Sequence, residues 1–158
     1  MIRKLVLIRH GDAEYRRLGE TDAQRRLTNT GLKALQREYP AMLAPLSGDL
    51  DDLQVWSSEA VRARQTAEVA CDVLGVEPEA IEFHRSLYAQ DYDMFYAELE
   101  AAEGTVVAVG HIPFMEEVSG DLTGTFISFP KGSIACFEVR GNDLRKAQLL
   151  WFARGPEA

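Results

Sequence analysis

Two apolar runs in this chain end in the same way, and that repetition constrains the fold more than any other feature. Leu5-Val6-Leu7-Ile8 is followed by Arg9-His10-Gly11, and Thr105-Val106-Val107-Ala108-Val109 by Gly110-His111. Unbroken apolar runs without the alternation of a half-solvated strand read as strands buried on both faces, the mark of a parallel sheet covered by helices. In open α/β sheets the ligand crevice lies beyond the carboxyl ends of the strands. Two buried strands that each deliver a histidine at the exit therefore point to a site.

The segments between these runs supply the covering helices. Thr28 is an N-cap for a helix whose apolar positions are Leu32, Leu35, Tyr39, Met42, Leu43 and Leu46, with a kink or break expected at Pro40. Leu53 to Trp56 predicts a short second strand, placed beside the first. A serine N-cap at Ser57-Ser58 opens a helix with Val61, Ala63, Ala67, Ala70, Val73 and Leu74 inward and Gly75 as its stop. A third strand is expected over 80–83. Asp91 then caps a helix reaching Glu103, and Pro113 takes the first position of another carrying Met115, Val118 and Leu122. Residues 134–139 and 147–152 flank Gly141-Asn142-Asp143 and predict an edge hairpin. The expected architecture is a single α/β domain over residues 1–158. It is a three-layer sandwich whose central sheet is mostly parallel, with helices on both faces and an antiparallel C-terminal hairpin.

Composition narrows the function classes. The 158-residue chain has a net charge of −8, which argues against nucleic acid as partner, since phosphate backbones demand a basic face. No apolar run approaches a membrane span and the first residues lack a signal-peptide pattern, so a cytoplasmic protein without a membrane partner is expected. Cys71 and Cys136 sit in apolar periodic stretches without metal-ligand spacing and read as buried small hydrophobes. Charge is unevenly spread: residues 1–26 hold seven Lys or Arg against four acids, a net of +3, which leaves −11 for the rest. Such a zone draws a small anion or a phosphorylated side chain inward while the remainder repels polyanions.

The arginines divide by geometry. Arg62 and Arg64 are two apart and cannot share a helix face; Arg62, in the first turn, is the one able to reach over the strand ends, where free helix N–H groups also face an anion. Arg64 is read as a surface residue, and so is His84. Arg16, in the long polar loop from Asp12 to Arg26, is a candidate for capturing substrate.

Taken in order, Arg9-His10-Gly11 after a buried strand, Ser58-x-x-x-Arg62-Ala63-x-Gln65-Thr66-Ala67 and Val109-Gly110-His111 resemble the histidine phosphatase superfamily, with its phosphoglycerate mutase-like fold. Arg9-His10-Gly11-Asp12-Ala13, Arg26-Leu27-Thr28-x-x-Gly31 and the short length most resemble its small bacterial phosphohistidine phosphatases. The resemblance implies a metal-independent phosphatase without cofactor. His10 would be the nucleophile and carry a phosphohistidine intermediate, Arg9 and Arg62 would grip the phosphoryl oxygens, and His111 would complete the clamp. The chain departs from the family at Glu59, where proline usually follows the serine. The expected substrate is a phosphorylated protein, through phosphohistidine, or alternatively a small phosphorylated metabolite. The larger mutase-like relatives commonly place a general-acid glutamate in a Leu-x-Glu turn, whereas the turn here reads Leu87-Tyr88-Ala89. That favours a substrate whose leaving group needs little protonation, with Asp91, Asp12 and Glu14 as stand-in acids. Two readings from other classes stay open. A metallophosphoesterase built on His10, Asp12 and His111 is opposed by the absence of further Asp and Asn clusters and by Arg9; a non-catalytic phosphate-binding module would keep the same pocket without turnover.

Overall fold

The computed structural model describes residues 1–157. Six strands form one sheet: β1 (Ile2–Arg9), β2 (Leu53–Ser57), β3 (Glu82–Phe83), β4 (Gly104–Gly110), β5 (Ile134–Glu138) and β6 (Gln148–Ala153). Their order is β3-β2-β4-β1-β5-β6. The first four run parallel, and β5 and β6 add antiparallel at the β1 edge. The expected second strand is present, but β4 lies between it and β1. The cause is burial: β4 is buried along all seven residues and β1 along its apolar run Leu5–Ile8, and the centre of the sheet is where both faces are covered.

Alternation along the central strands divides the core in two. Val6, Ile8, Val107 and Val109 face one layer, made by α1 (Asn29–Met42) and α2 (Val61–Leu74). Leu5, Leu7, Val106 and Ala108 face the other, where α3 (Arg85–Ala89), α4 (Tyr92–Ala101) and α5 (Phe114–Thr123) pack. The small residues Ala63, Ala67 and Ala70 let α2 lie close against the sheet.

Several local expectations are revised. Helix α1 runs on through Pro40 to Met42 without the expected break: the proline costs one N–H donor, and only two residues follow it in the helix. Thr28 and Asp91 cap their helices as expected, accepting from the N–H groups of Gly31 and Met94. Ser58 does not cap α2; Ala60 holds the N-cap position without a side-chain bond. Gly31 is required by close approach, since a Cβ there would stand 2.7 Å from the Asp12 carbonyl oxygen. Both cysteines are buried and free.

Candidate active site

The carboxyl ends of β1 and β4 open into a cleft of about 470 Å³, lined among others by Arg9, His10, Arg62, Tyr88 and His111. His10 N–H donates to the Gly110 carbonyl at 3.0 Å, which continues the β1–β4 pairing one residue past the strand and sets His10 beside His111. Their ring centroids are 5.2 Å apart. Thr66 ties this tip to α2: its hydroxyl accepts from Gly11 N–H at 3.2 Å and donates to the Arg62 carbonyl at 2.8 Å.

The tautomer of His10 follows from its neighbour. Nδ1 lies 2.8 Å from the Gly11 carbonyl oxygen, which can only accept, so Nδ1 carries the proton and the lone pair resides on Nε2. Burial lowers the pKa of this imidazole, and the nearby Arg62, Arg9 and Arg25 lower it further, against the opposing bond to Gly11; the result is about 4. His10 is neutral at pH 7. His111 is driven down to about 3, first by burial and then by His10 and Arg62. Its Nε2 lies 2.7 Å from Ser58 Oγ, which also accepts from Ala60 N–H at 3.2 Å. The Ser58 hydroxyl proton finds its acceptor in that nitrogen, leaving the ring proton of His111 on Nδ1.

The arginines carry unmet hydrogen-bond demand. Arg9 donates from Nη1 to the Phe129 carbonyl at 2.9 Å, while its Nε is buried without a partner. Arg62 is 6% exposed and its Nε is likewise unpaired. Both guanidinium groups line the cleft, and their planar forks suit bidentate contact with the oxygens of an anion. Arg64 is exposed on the far side of α2, as expected. The backbone at the start of α2 departs from expectation, because Arg62 N–H already donates to the Arg25 carbonyl at 3.1 Å and is not free for an anion.

Asp22 is the carboxylate lining the cleft, and it was not anticipated from sequence. Its Oδ2 accepts from Arg62 Nη2 at 3.0 Å and from the Tyr88 hydroxyl at 2.9 Å, and its Oδ1 from Arg25 Nη1 at 3.0 Å. Burial raises its pKa, but the bonds from Arg25, Tyr88 and Arg62 outweigh that and hold it at about 2. Arg25 and Lys131 also line the cleft, so Arg9, Arg25, Arg62 and Lys131 face one carboxylate there. Arg16 lines a separate shallow depression with Arg17, Leu18, Gly19 and Glu20. Of the loop's cations, Arg25 near its base lines the cleft and Arg16 at its tip does not.

None of the three stand-in acids lines the cleft. Asp91 caps α4, Asp12 pairs with Lys131 at 2.8 Å, and Glu14 pairs with Arg17 at 3.0 Å. His84 is no surface residue either. It stacks on Trp56 at 4.0 Å and its Nδ1 lies 2.5 Å from Glu98, a carboxylate distant in sequence. No group of three or more His, Cys, Asp or Glu side chains among the described residues is arranged to hold a metal ion.

Residues 5–105 match the sequence pattern of the histidine phosphatase superfamily, branch 1. The chain belongs to that superfamily. As a member it is a phosphatase. No curated protein matches the chain. Among solved structures, this superfamily member is similar to the protein histidine phosphatase SixA complexed with tungstate, at 23% identity and TM-score 0.78 over 96% of each chain. It is also similar to a candidate phosphohistidine phosphatase SixA from Nakamurella multipartitia, at 26% identity and TM-score 0.73 over 97% of this chain and 96% of that one. A mycobacterial glucosyl-3-phosphoglycerate phosphatase aligns at 18% identity and TM-score 0.67, over 98% of this chain and 99% of that chain.

Proposed function

We propose that this phosphatase hydrolyses phosphohistidine on proteins without a metal ion, through a phosphoryl intermediate on His10. The observation that carries the reading is that the cleft offers a neutral imidazole with a free Nε2 lone pair, while its one carboxyl group is held ionised.

Nε2 of His10 attacks phosphorus as the bond to the leaving group breaks, and the electron pair of that bond departs with the leaving atom. Arg9 and Arg62 hold the equatorial oxygens through planar forks, which fixes the phosphoryl group in line with Nε2. His111 donates from Nδ1 to the charge developing on the transferring group. Water then attacks the phosphohistidine, the P–Nε2 bond breaks, and His10 returns to its starting tautomer.

The leaving group decides the substrate class. An alkoxide needs a general acid, typically worth about 10²–10⁴-fold, and a carboxyl group with a pKa near 2 is not protonated at pH 7 to serve as one. A phosphohistidine ring protonated on its distal nitrogen leaves as neutral imidazole, whose conjugate acid has a pKa of about 6.5. The similarity to SixA structures supports the same class.

The test is a panel of phosphohistidine, sugar phosphate and aryl phosphate substrates, compared by kcat/KM in excess chelator. The highest value is expected for phosphohistidine, with chelator without effect. An unactivated alkyl phosphate as best substrate would make the chain a small-molecule phosphomonoesterase, and loss of activity in chelator would make it a metalloenzyme.

A further inference from the structure

The loop between β1 and α1 is a braced arm. Ala13 bridges Leu27 in antiparallel fashion, and Glu14 N–H donates to the Arg26 carbonyl at 2.8 Å. Arg25 Nε donates to the Glu14 carbonyl at 2.9 Å, Arg17 pairs with the Glu14 carboxylate at 3.0 Å, and Arg26 pairs with Glu20 at 2.5 Å. These cross-links fix a stretch of backbone whose ordering costs entropy and which buries no residue between Ala13 and Arg26.

What the braces present is apolar. Tyr15 is 93% and Leu18 106% exposed, the two most exposed large hydrophobic side chains among the described residues. They flank Arg16, which forms no ion pair among the described residues. Single exposed hydrophobes are ordinary, whereas two such anchors around a free cation on a rigid projection have the composition of an interface core with a charged rim. The base of the same arm enters the cleft through Ala13, Asp22 and Arg25, so a body docked on the tip lies against the site.

We propose that this arm is the docking surface for the phosphoprotein substrate: Tyr15 and Leu18 seat on an apolar patch beside the phosphorylated side chain, and Arg16 meets acidic residues of that partner. The inference rests on the phosphohistidine reading above. Charge favours this occupant. The cleft at the arm's base sets Arg9, Arg25, Arg62 and Lys131 against Asp22, and Arg16 adds an unpaired charge at the tip, which attracts an acidic partner to this end while the chain's net charge of −8 turns it away from other faces.

The experiment compares wild type with the double variant Tyr15→Ser/Leu18→Ser on two substrates. One is phosphoramidate, too small to touch the arm; the other is an acidic folded protein phosphorylated on histidine by phosphoramidate treatment. Both replaced side chains are exposed, so the fold is expected to be unaffected. On the protein, kcat/KM should fall at least about tenfold through KM, as expected when anchors leave an interface; on phosphoramidate it should stay within about twofold. Equal values for wild type and variant on the protein substrate, or equal losses on both substrates, would overturn the arm's role. So would a wild-type dimer in sedimentation that the variant abolishes, since the arm would then bind a second copy. Wild type inert on both substrates would overturn the phosphohistidine reading itself, and the arm's role with it.

Discussion

The Ser58 hydroxyl lies 2.7 Å from Nε2 of His111 and joins the end of β2 to the end of β4. By donating to Nε2 it keeps the His111 ring proton on Nδ1. Ser58→Ala is expected to release that tautomer and lower kcat by about 10–100-fold, with a smaller change in KM, because the lost donor acts mainly on developing charge. Ser58→Thr should recover most of the rate. Nitrogen-15 shifts of the His111 ring should move in Ser58→Ala; an unchanged spectrum with unchanged kcat would remove Ser58 from this role.

Arg62 and Arg64 separate a grip from a charge. Arg62→Lys keeps the charge but loses the fork, so kcat/KM should drop by about 10²-fold, while Arg64→Lys should stay within about twofold. Steady-state kinetics on one substrate decides between them. Equal losses would place both guanidinium groups at the phosphoryl group.

Asp22 pairs with Arg62 at 3.0 Å. Removing its charge in Asp22→Asn should free that fork and tighten inhibition by inorganic phosphate by roughly tenfold, about 1.4 kcal/mol. Competitive inhibition constants check this. Weaker inhibition would mean that Asp22 holds Arg62 in its working position.

The two depressed histidines predict a stability profile. Their folded pKa values of about 4 and 3 lie below the ordinary 6.5, so between these limits the unfolded chain binds more protons than the folded one. Stability should therefore fall as pH drops from about 6.5 towards 4, and rise in the opposite direction. The carboxyl of Asp22, depressed to about 2, loses its contribution only below the ordinary carboxylate range and does not overlap this window. Urea midpoints measured across the window should slope less in His111→Asn than in wild type; identical slopes would show that His111 titrates normally.

The parts of this fold legible in sequence were those with a strong local signal. Leu5–Ile8 and Val106–Val109 are apolar without interruption because both their faces are covered, and their exits placed His10, Arg9 and His111 in one cleft. Strand β3 spans two residues where four were expected, since an exposed edge leaves little burial to extend it. Asp22, Arg25 and Lys131 were missed because they sit in polar loops without periodicity. What brings Asp22 and Arg25 to the cleft is the Ala13–Leu27 bridge and the pairing of Arg62 with Asp22, 40 positions apart, while Gly132 N–H, donating to the His10 carbonyl at 3.0 Å, holds the Lys131 segment beside it. Gln65 and Thr66 belonged to a recognisable motif, yet their work, accepting from the N–H groups of Leu27 and Gly11, is tertiary.

The proposed mechanism turns on a covalent bond between phosphorus and Nε2 of His10. Wild-type protein quenched during turnover of a radiolabelled phosphoryl donor should carry an acid-labile, alkali-stable label at His10, and His10→Ala should lose both label and turnover while keeping its fold. A label that persists in His10→Ala, or turnover by that variant at near wild-type rate, would contradict it.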